Sequence, residues 1–186
     1  MKAYKKERIE NAICFFAREH YKKTKRFPSQ THIYKYLALF EFGILEETGD
    51  SPLGLTYKAM QYGPVPMEIY DKRDKLKSDQ FVFMKRDNTY FVKATGKPDL
   101  DYFSEYEIEK MKNLVFIYAK QWVTPNVMSD ASHEKIKAWK KTWKKKPNSK
   151  IDKSDTFENL ASKNEETLSS QEEHFLISTM LGSLGT

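Results

Sequence analysis

The chain has 186 residues, 39% hydrophobic and 31% charged, with a formal charge of +6 and a pI ≈ 9.1. That length bounds it to one domain with at most an appendage, able to bury roughly two thirds of its unfolded surface without disulfides, and its 12 phenylalanines, 11 tyrosines and 3 tryptophans exclude a disordered polymer. The lone Cys14 forms no internal disulfide and points to a reducing compartment. No apolar run approaches the roughly 20 residues of a membrane span, and residues 1–7 lack a signal peptide's apolar region, so the expectation is a cytoplasmic protein with no membrane partner.

A first helix is expected from about Tyr4 to Tyr21, with Ile9, Ala12, Ile13, Phe16 and His20 on one face. After a basic linker ending at Pro28, Ser29 or Thr31 caps a second helix running to about Glu47, with Ile33, Tyr36, Leu37 and Phe40 as its buried stripe. Gly49, Asp50 and Pro52 read as a turn. Leu55 to Tyr62 has the composition of a short strand. Tyr62-Gly63-Pro64-Val65-Pro66 reads as a rigid turn, because two prolines fix φ and push the residues before them to extended conformations. Pro66 then opens a helix expected to reach Lys77.

Phe81 to Met84 and Tyr90 to Val92 flank Arg86-Asp87-Asn88 as a hairpin. It must pack on helices or pair with the Leu55 segment, since a lone hairpin is marginal in water. Ser104 and Glu107 form a capping box for a helix carrying Ile108, Met111, Val115, Tyr118 and Trp122. Thr124-Pro125 starts another helix, and 129–143 reads as helical for much of its length. About Ser170 to Leu184 is a final helix carrying Phe175, Ile177, Met180 and Leu181. The fold class expected is α+β: a mostly helical single domain with a small antiparallel hairpin or sheet, occupying residues 1–155, followed by a C-terminal extension over 156–186.

The candidates for chemistry are weak. Ser132 and His133 beside Asp130 diverge by about 100° on a helix, so they do not make a nucleophile–base pair. Cys14 lies in an apolar face and reads as a small hydrophobe. The four histidines lack metal-ligand spacing, and there is no glycine-rich phosphate loop. The expectations are no metal, no cofactor, no catalytic residue and no enzyme. The most prominent polar feature is Lys135 to Lys150, with eight lysines and no acid, followed by seven acids and two lysines from Asp152 to Glu173. Ile136, Trp139 and Trp143 share one helical face there. Core packing is favoured over base stacking for these rings, and the lysines leave open a weak phosphate contact.

Three segments together resemble the Panacea, or SocA-like, antitoxin domain family over about residues 5 to 152. These are the aromatic helix Tyr34-Lys35-Tyr36-Leu37-Ala38-Leu39-Phe40-Glu41-Phe42, the stretch from Gly54 to Pro66 centred on Tyr62-Gly63-Pro64-Val65, and Met128-Ser129-Asp130-Ala131-Ser132-His133 with Trp139. The family's usual tryptophan before the Tyr-Gly-Pro segment is missing; Ala59 or Met60 falls near it. The resemblance implies an antitoxin that neutralises a protein toxin encoded beside it by direct contact and occlusion of its active site, many such toxins blocking translation. It makes Tyr62, Gly63, Pro64, Val65, Pro66, Ser132, His133 and Trp139 scaffold residues. Candidate toxin anchors lie outside that scaffold: Tyr21, Phe27, Tyr34, Phe175, Ile177 and Met180, and, for a toxin with a basic nucleotide or RNA site, the acidic stretch Glu165 to Glu173, beginning with Glu165 and Glu166, as an imitation of phosphate. Two alternatives stand beside this reading, a nucleic-acid-binding regulator acting through the Lys135–Lys150 face and an adaptor that delivers the toxin to a host protease.

Overall fold

The computed structural model describes residues 4–76 and 78–184. Helix α1 (Lys5–Thr24) and helix α2 (Gln30–Thr48) are followed by hairpin β1 (Tyr57–Met60)–β2 (Gly63–Pro66), the single turn α3 (Met67–Tyr70), and hairpin β3 (Phe81–Arg86)–β4 (Thr89–Ala94). Helices α4 (Glu105–Tyr118), α5 (Pro125–Lys135) and α6 (Lys137–Lys145), three 3-10 turns and α7 (Ser170–Leu184) complete it. The fold is mostly helical α+β, with two separate two-stranded antiparallel sheets. No helix among the described residues is long and apolar enough to cross a membrane.

Helix α2 is the axis. Thirteen of its nineteen residues are buried, the pattern of a helix wrapped on all sides rather than one lying on a surface. It packs against α1, α4, α5, α7, β2 and β4. Ser29 caps it in an unusual box: its hydroxyl accepts from the His32 amide, while the Ser29 amide donates to His32 Nδ1 at 3.2 Å. Phe16 of α1 stacks on Tyr36 at 4.8 Å, and His20 Nδ1 lies 3.1 Å from the Tyr36 hydroxyl. His32 Nε2–H donates to the Val123 carbonyl at 3.3 Å, so an aromatic–histidine layer ties α1, α2 and the start of α5 together.

Several expectations need correction. The Gly63–Pro66 segment is not a free turn but strand β2, with Tyr57 opposite Pro66 and Met60 opposite Gly63. The turn is Gln61-Tyr62, whose tyrosine is 62% exposed. The helix expected from Pro66 to Lys77 stops at Tyr70, and Lys77 lies outside the described residues. Past Ile69 the run Asp71-Lys72-Arg73-Asp74-Lys75 offers no apolar face to bury, so no tertiary gain extends the helix. Arg73 instead lies over the rings of Tyr70 and Tyr90. Trp122 is not on the inner face of α4: that helix ends at Tyr118, and Trp122 is exposed in the loop beyond. The β3–β4 hairpin takes the first of its two expected arrangements, packing on helices α1 and α2.

Packing continues past residue 150. The Ile151 amide donates to the Tyr57 carbonyl at 2.8 Å, and Ala59 exchanges backbone bonds with Asn148 and Ser149, so this segment lines the free edge of β1. Ile151, Phe157 and Leu160 are buried, and Lys153 forms an ion pair with the fully buried Glu41 of α2. Helix α7 then crosses the C-terminal end of α2. Gly49 caps α2 at φ 77, and a Cβ there would stand 2.1 Å from the Gln171 carbonyl oxygen, so this close approach requires glycine. His174 Nδ1–H donates to the Thr48 carbonyl at 2.7 Å, and Phe175 packs against Phe157.

Candidate functional site

Four segments far apart in sequence meet around Gly63. Its φ of 97 lies where side chains are strained, and a Cβ there would stand 2.6 Å from Ser132 Oγ and 3.0 Å from Lys35 Nζ. Absence of a side chain lets α2 and α5 close on strand β2. Lys35 is 1% exposed and donates to the Pro64 carbonyl at 3.1 Å. Desolvation pushes its amine down to about 7. The ammonium group is donor-only, and the Pro64 carbonyl is the acceptor it meets. Trp139 Nε1–H donates to the Met60 carbonyl at 3.1 Å, fastening α6 to the end of β1.

Ser132 Oγ donates to the Ser129 carbonyl at 2.7 Å. The His133 ring stacks on Trp139 at 3.9 Å. Its Nε2 is buried and has no hydrogen-bond partner among the described residues. Desolvation, helped by the charge of Lys35, holds His133 below its usual range. Ser132 thus spends its proton on the backbone and His133 holds no hydroxyl, so no nucleophile–base contact forms. No cluster of three metal-ligating side chains occurs among the described residues. Cys14 is buried, and desolvation raises its thiol, the opposite of activation.

Of the scaffold residues expected from sequence, Gly63, Pro64, Ser132, His133 and Trp139 come together. Val65 and Pro66 are buried in β2 beside them, whereas Tyr62 points outward. Lys35 was missed as the centre of this knot, although a lysine within the apolar run Ile33 to Phe42 was the visible signal.

The expected anchors scatter. Tyr34 is 3% exposed with its ring against Tyr70, and so is not a surface residue. Tyr21 and Phe27 stack on each other at 4.7 Å at the far end of α1. Glu165 and Glu166 are exposed in a 3-10 turn. Phe175 is half-buried, while Ile177 and Met180 are exposed on α7. The lysine run is partly neutralised: Lys137 pairs with Glu46 at 2.8 Å, and Lys141 lies 3.8 Å from Asp155 and donates to the Phe157 carbonyl.

The second feature missed from sequence is a groove of about 340 Å³ between α2, α4 and the α5–α6 junction. Leu39, Gly43, Leu114, Ile117 and Ile136 line it, and two ion pairs, Glu47–Lys110 and Glu46–Lys137, stand along it. Gly43 sits inside α2, where glycine costs about 1 kcal/mol relative to alanine. A Cβ there would meet nothing within 4 Å. No close approach among the described residues requires that glycine; its effect is to deepen the groove. On α4 beside it, Ile117 is 48% and Phe116 67% exposed.

A mostly helical α+β domain in which a Gly-Pro strand, a buried lysine and a Ser-His…Trp element interlock defines the class. The chain belongs to the antitoxin SocA-like, Panacea domain family, whose model matches residues 33–140, a span containing every residue of the knot. No curated protein and no solved structure matches it.

Proposed function

We propose that this chain is the antitoxin of a type II toxin–antitoxin system in the cytoplasm of a prokaryote or phage-infected cell. It binds a protein toxin encoded beside it and covers that toxin's active or substrate site. Family membership supports a toxin partner in general terms. The observation that carries direct protein contact is the Gly43 groove: an apolar floor ringed by half-exposed ion pairs, the anatomy of a protein-binding hot spot. Its lining balances Glu46 and Glu47 against Lys110 and Lys135, so it offers an anion nothing and an apolar side chain of a partner a great deal. Exposed Ile117 and Phe116 extend that surface along α4, and Ile177 and Met180 on α7 are a second candidate contact.

The buried knot sets the shape of this surface rather than performing chemistry, which fits a stoichiometric binder. Nanomolar affinity corresponds to about −12 kcal/mol and requires a few well-buried anchors rather than broad weak contact.

Co-expression with the product of the adjacent reading frame tests the reading. Growth restored by the wild-type chain, and lost again with Gly43→Trp while that variant stays folded, supports it. A neighbour that is harmless alone, or toxic but not rescued, refutes it.

A further inference from the structure

The conspicuous lysine run on α6 is not the best anion site on this molecule. Its Trp139 ring is buried, and two of its lysines already face carboxylates. A cleft of about 430 Å³ between the C-terminal half of α1 and the end of β4 has the opposite character. Arg18, Tyr21, Lys22 and Phe27 line one side and Lys93 and Thr95 the other, and no carboxylate among the described residues lines it. Lys23, Lys25, Arg26 and Lys97 are exposed and adjacent in sequence. Glu19, the one acid between residues 18 and 26, pairs with Lys22 and lines the neighbouring α1–α4 groove instead.

Part of this charge suits the C-terminus of α1, where cations complement the helix dipole. That accounts for Lys22 and Lys23 in the last turn. It does not account for Lys93, which arrives from the other side on β4, nor for the aromatic pair. Tyr21 and Phe27 lie nearly parallel, 17° apart, with Tyr21 still 42% exposed. Such a pair, holding a tyrosine flat at the mouth of a cationic cleft, is a stacking platform. Arg18 uses Nη1 on the Gly96 carbonyl at 3.2 Å, which fixes its guanidinium at the cleft wall and leaves further donors of the fork for phosphate.

We propose that this cleft binds single-stranded nucleic acid, with phosphates on Arg18 and Lys93 and a base stacked on Tyr21. An acidic peptide would satisfy the cations but brings no ring for the tyrosine face. A free nucleotide would fill the cleft but leave Lys25, Arg26 and Lys97 without ligand, so a strand running past the cleft fits the charge layout better. The site is remote in the sequence from the Gly43 groove, and the proposal stands whether or not the chain is an antitoxin.

Fluorescence anisotropy of labelled oligo(dT) and oligo(U) of about 12 nucleotides, in about 50 mM salt, tests it. The full chain binds, and binding weakens steeply as salt is raised. Tyr21→Ala lowers affinity about 10-fold. Arg18→Glu with Lys93→Glu abolishes binding, whereas Lys144→Glu with Lys145→Glu, the same change in net charge on α6, lowers it less than 3-fold. Circular dichroism establishes that each variant is folded. No binding by the wild-type chain, equal loss from the α6 pair, no effect of Tyr21→Ala, or equal competition by polyglutamate or a mononucleotide overturns the proposal.

Discussion

His133 and Trp139 lie face to face, 3.9 Å between ring centroids and 6° from parallel, across the break between α5 and α6. In an unbroken helix residues six apart would point about 120° away from each other. The break at Ile136, which adopts φ −99 and ψ 92 and buries its side chain, turns the two rings onto one another. It also aims the indole N–H at the Met60 carbonyl. The stack is thus what closes the late helices onto the β1–β2 hairpin.

Truncating that stack should be a stability defect. Trp139→Ala is expected to cost about 3–5 kcal/mol, as for large buried aromatics, and His133→Ala about 0.5–1.5 kcal/mol for loss of the aromatic contact. Urea denaturation measures both. A loss of toxin neutralisation by His133→Ala with unchanged stability would instead give the imidazole a functional role.

Gly43 and Gly63 should respond in opposite directions to the same substitution. Gly43→Ala meets open space and is expected to raise stability by about 0.5–1 kcal/mol through helix propensity and a stiffer unfolded chain. Gly63→Ala forces a side chain to φ 97 against Ser132 and Lys35, at a cost of roughly 1–3 kcal/mol. Thermal melts of the two variants side by side read the sign directly.

The buried pair Glu41–Lys153 joins α2 to a residue beyond the matched family span. Glu41 has no exposed surface and also accepts from the Leu53 amide at 2.8 Å. Lys153→Ala leaves that carboxylate without its cation and is expected to destabilise the whole domain by about 3–5 kcal/mol. A single cooperative transition, shifted to lower urea, would show that this segment folds with the rest.

Stability should fall on acidification and rise on mild alkalinisation, from separate groups. Burial lowers His20 from the ordinary 6.5 to about 4, with the neighbouring His32 adding to it, and His32 itself is lowered by burial. Between those pH values the unfolded chain binds protons that the folded chain refuses. Their contribution is therefore whole above about 6.5 and is lost as pH falls toward 4. His20→Gln should flatten that slope by up to about 1.4 kcal/mol per pH unit. Lys35 is lowered from 10.5 to about 7, so the unfolded chain holds the extra proton between these values and stability climbs as pH rises above 7. Lys35→Met should remove the climb. Urea midpoints across pH 4 to 9.5 check both, with the variants isolating each group from other titrations.

Much of the framework was legible because it rests on local chemistry. The capping residues Ser29, Ser104 and Thr124, the Asp87-Asn88 hairpin and the apolar face of α1 each declare themselves within a few residues. What was not legible depends on distant partners. The Gly-Pro segment reads as a turn until β1 is placed beside it, and 71–75 reads as helix until it is seen to have nothing to cover. The α5–α6 break carries no proline or glycine; it falls at Ile136, whose side chain is buried in the core, so only the tertiary arrangement reveals it. Lys35 and Gly43 were visible as oddities in an apolar helix, but their meanings, a knot and a groove, belong to the tertiary arrangement.

The central claim is that this chain silences its partner by occupying it. Titration of the purified adjacent-gene toxin with purified chain, following the toxin's own activity, tests it most directly. The account predicts a linear fall to zero activity at a fixed molar ratio, with a complex of that ratio recovered by gel filtration. Silencing by far less than one equivalent, or silencing with no complex, would contradict it.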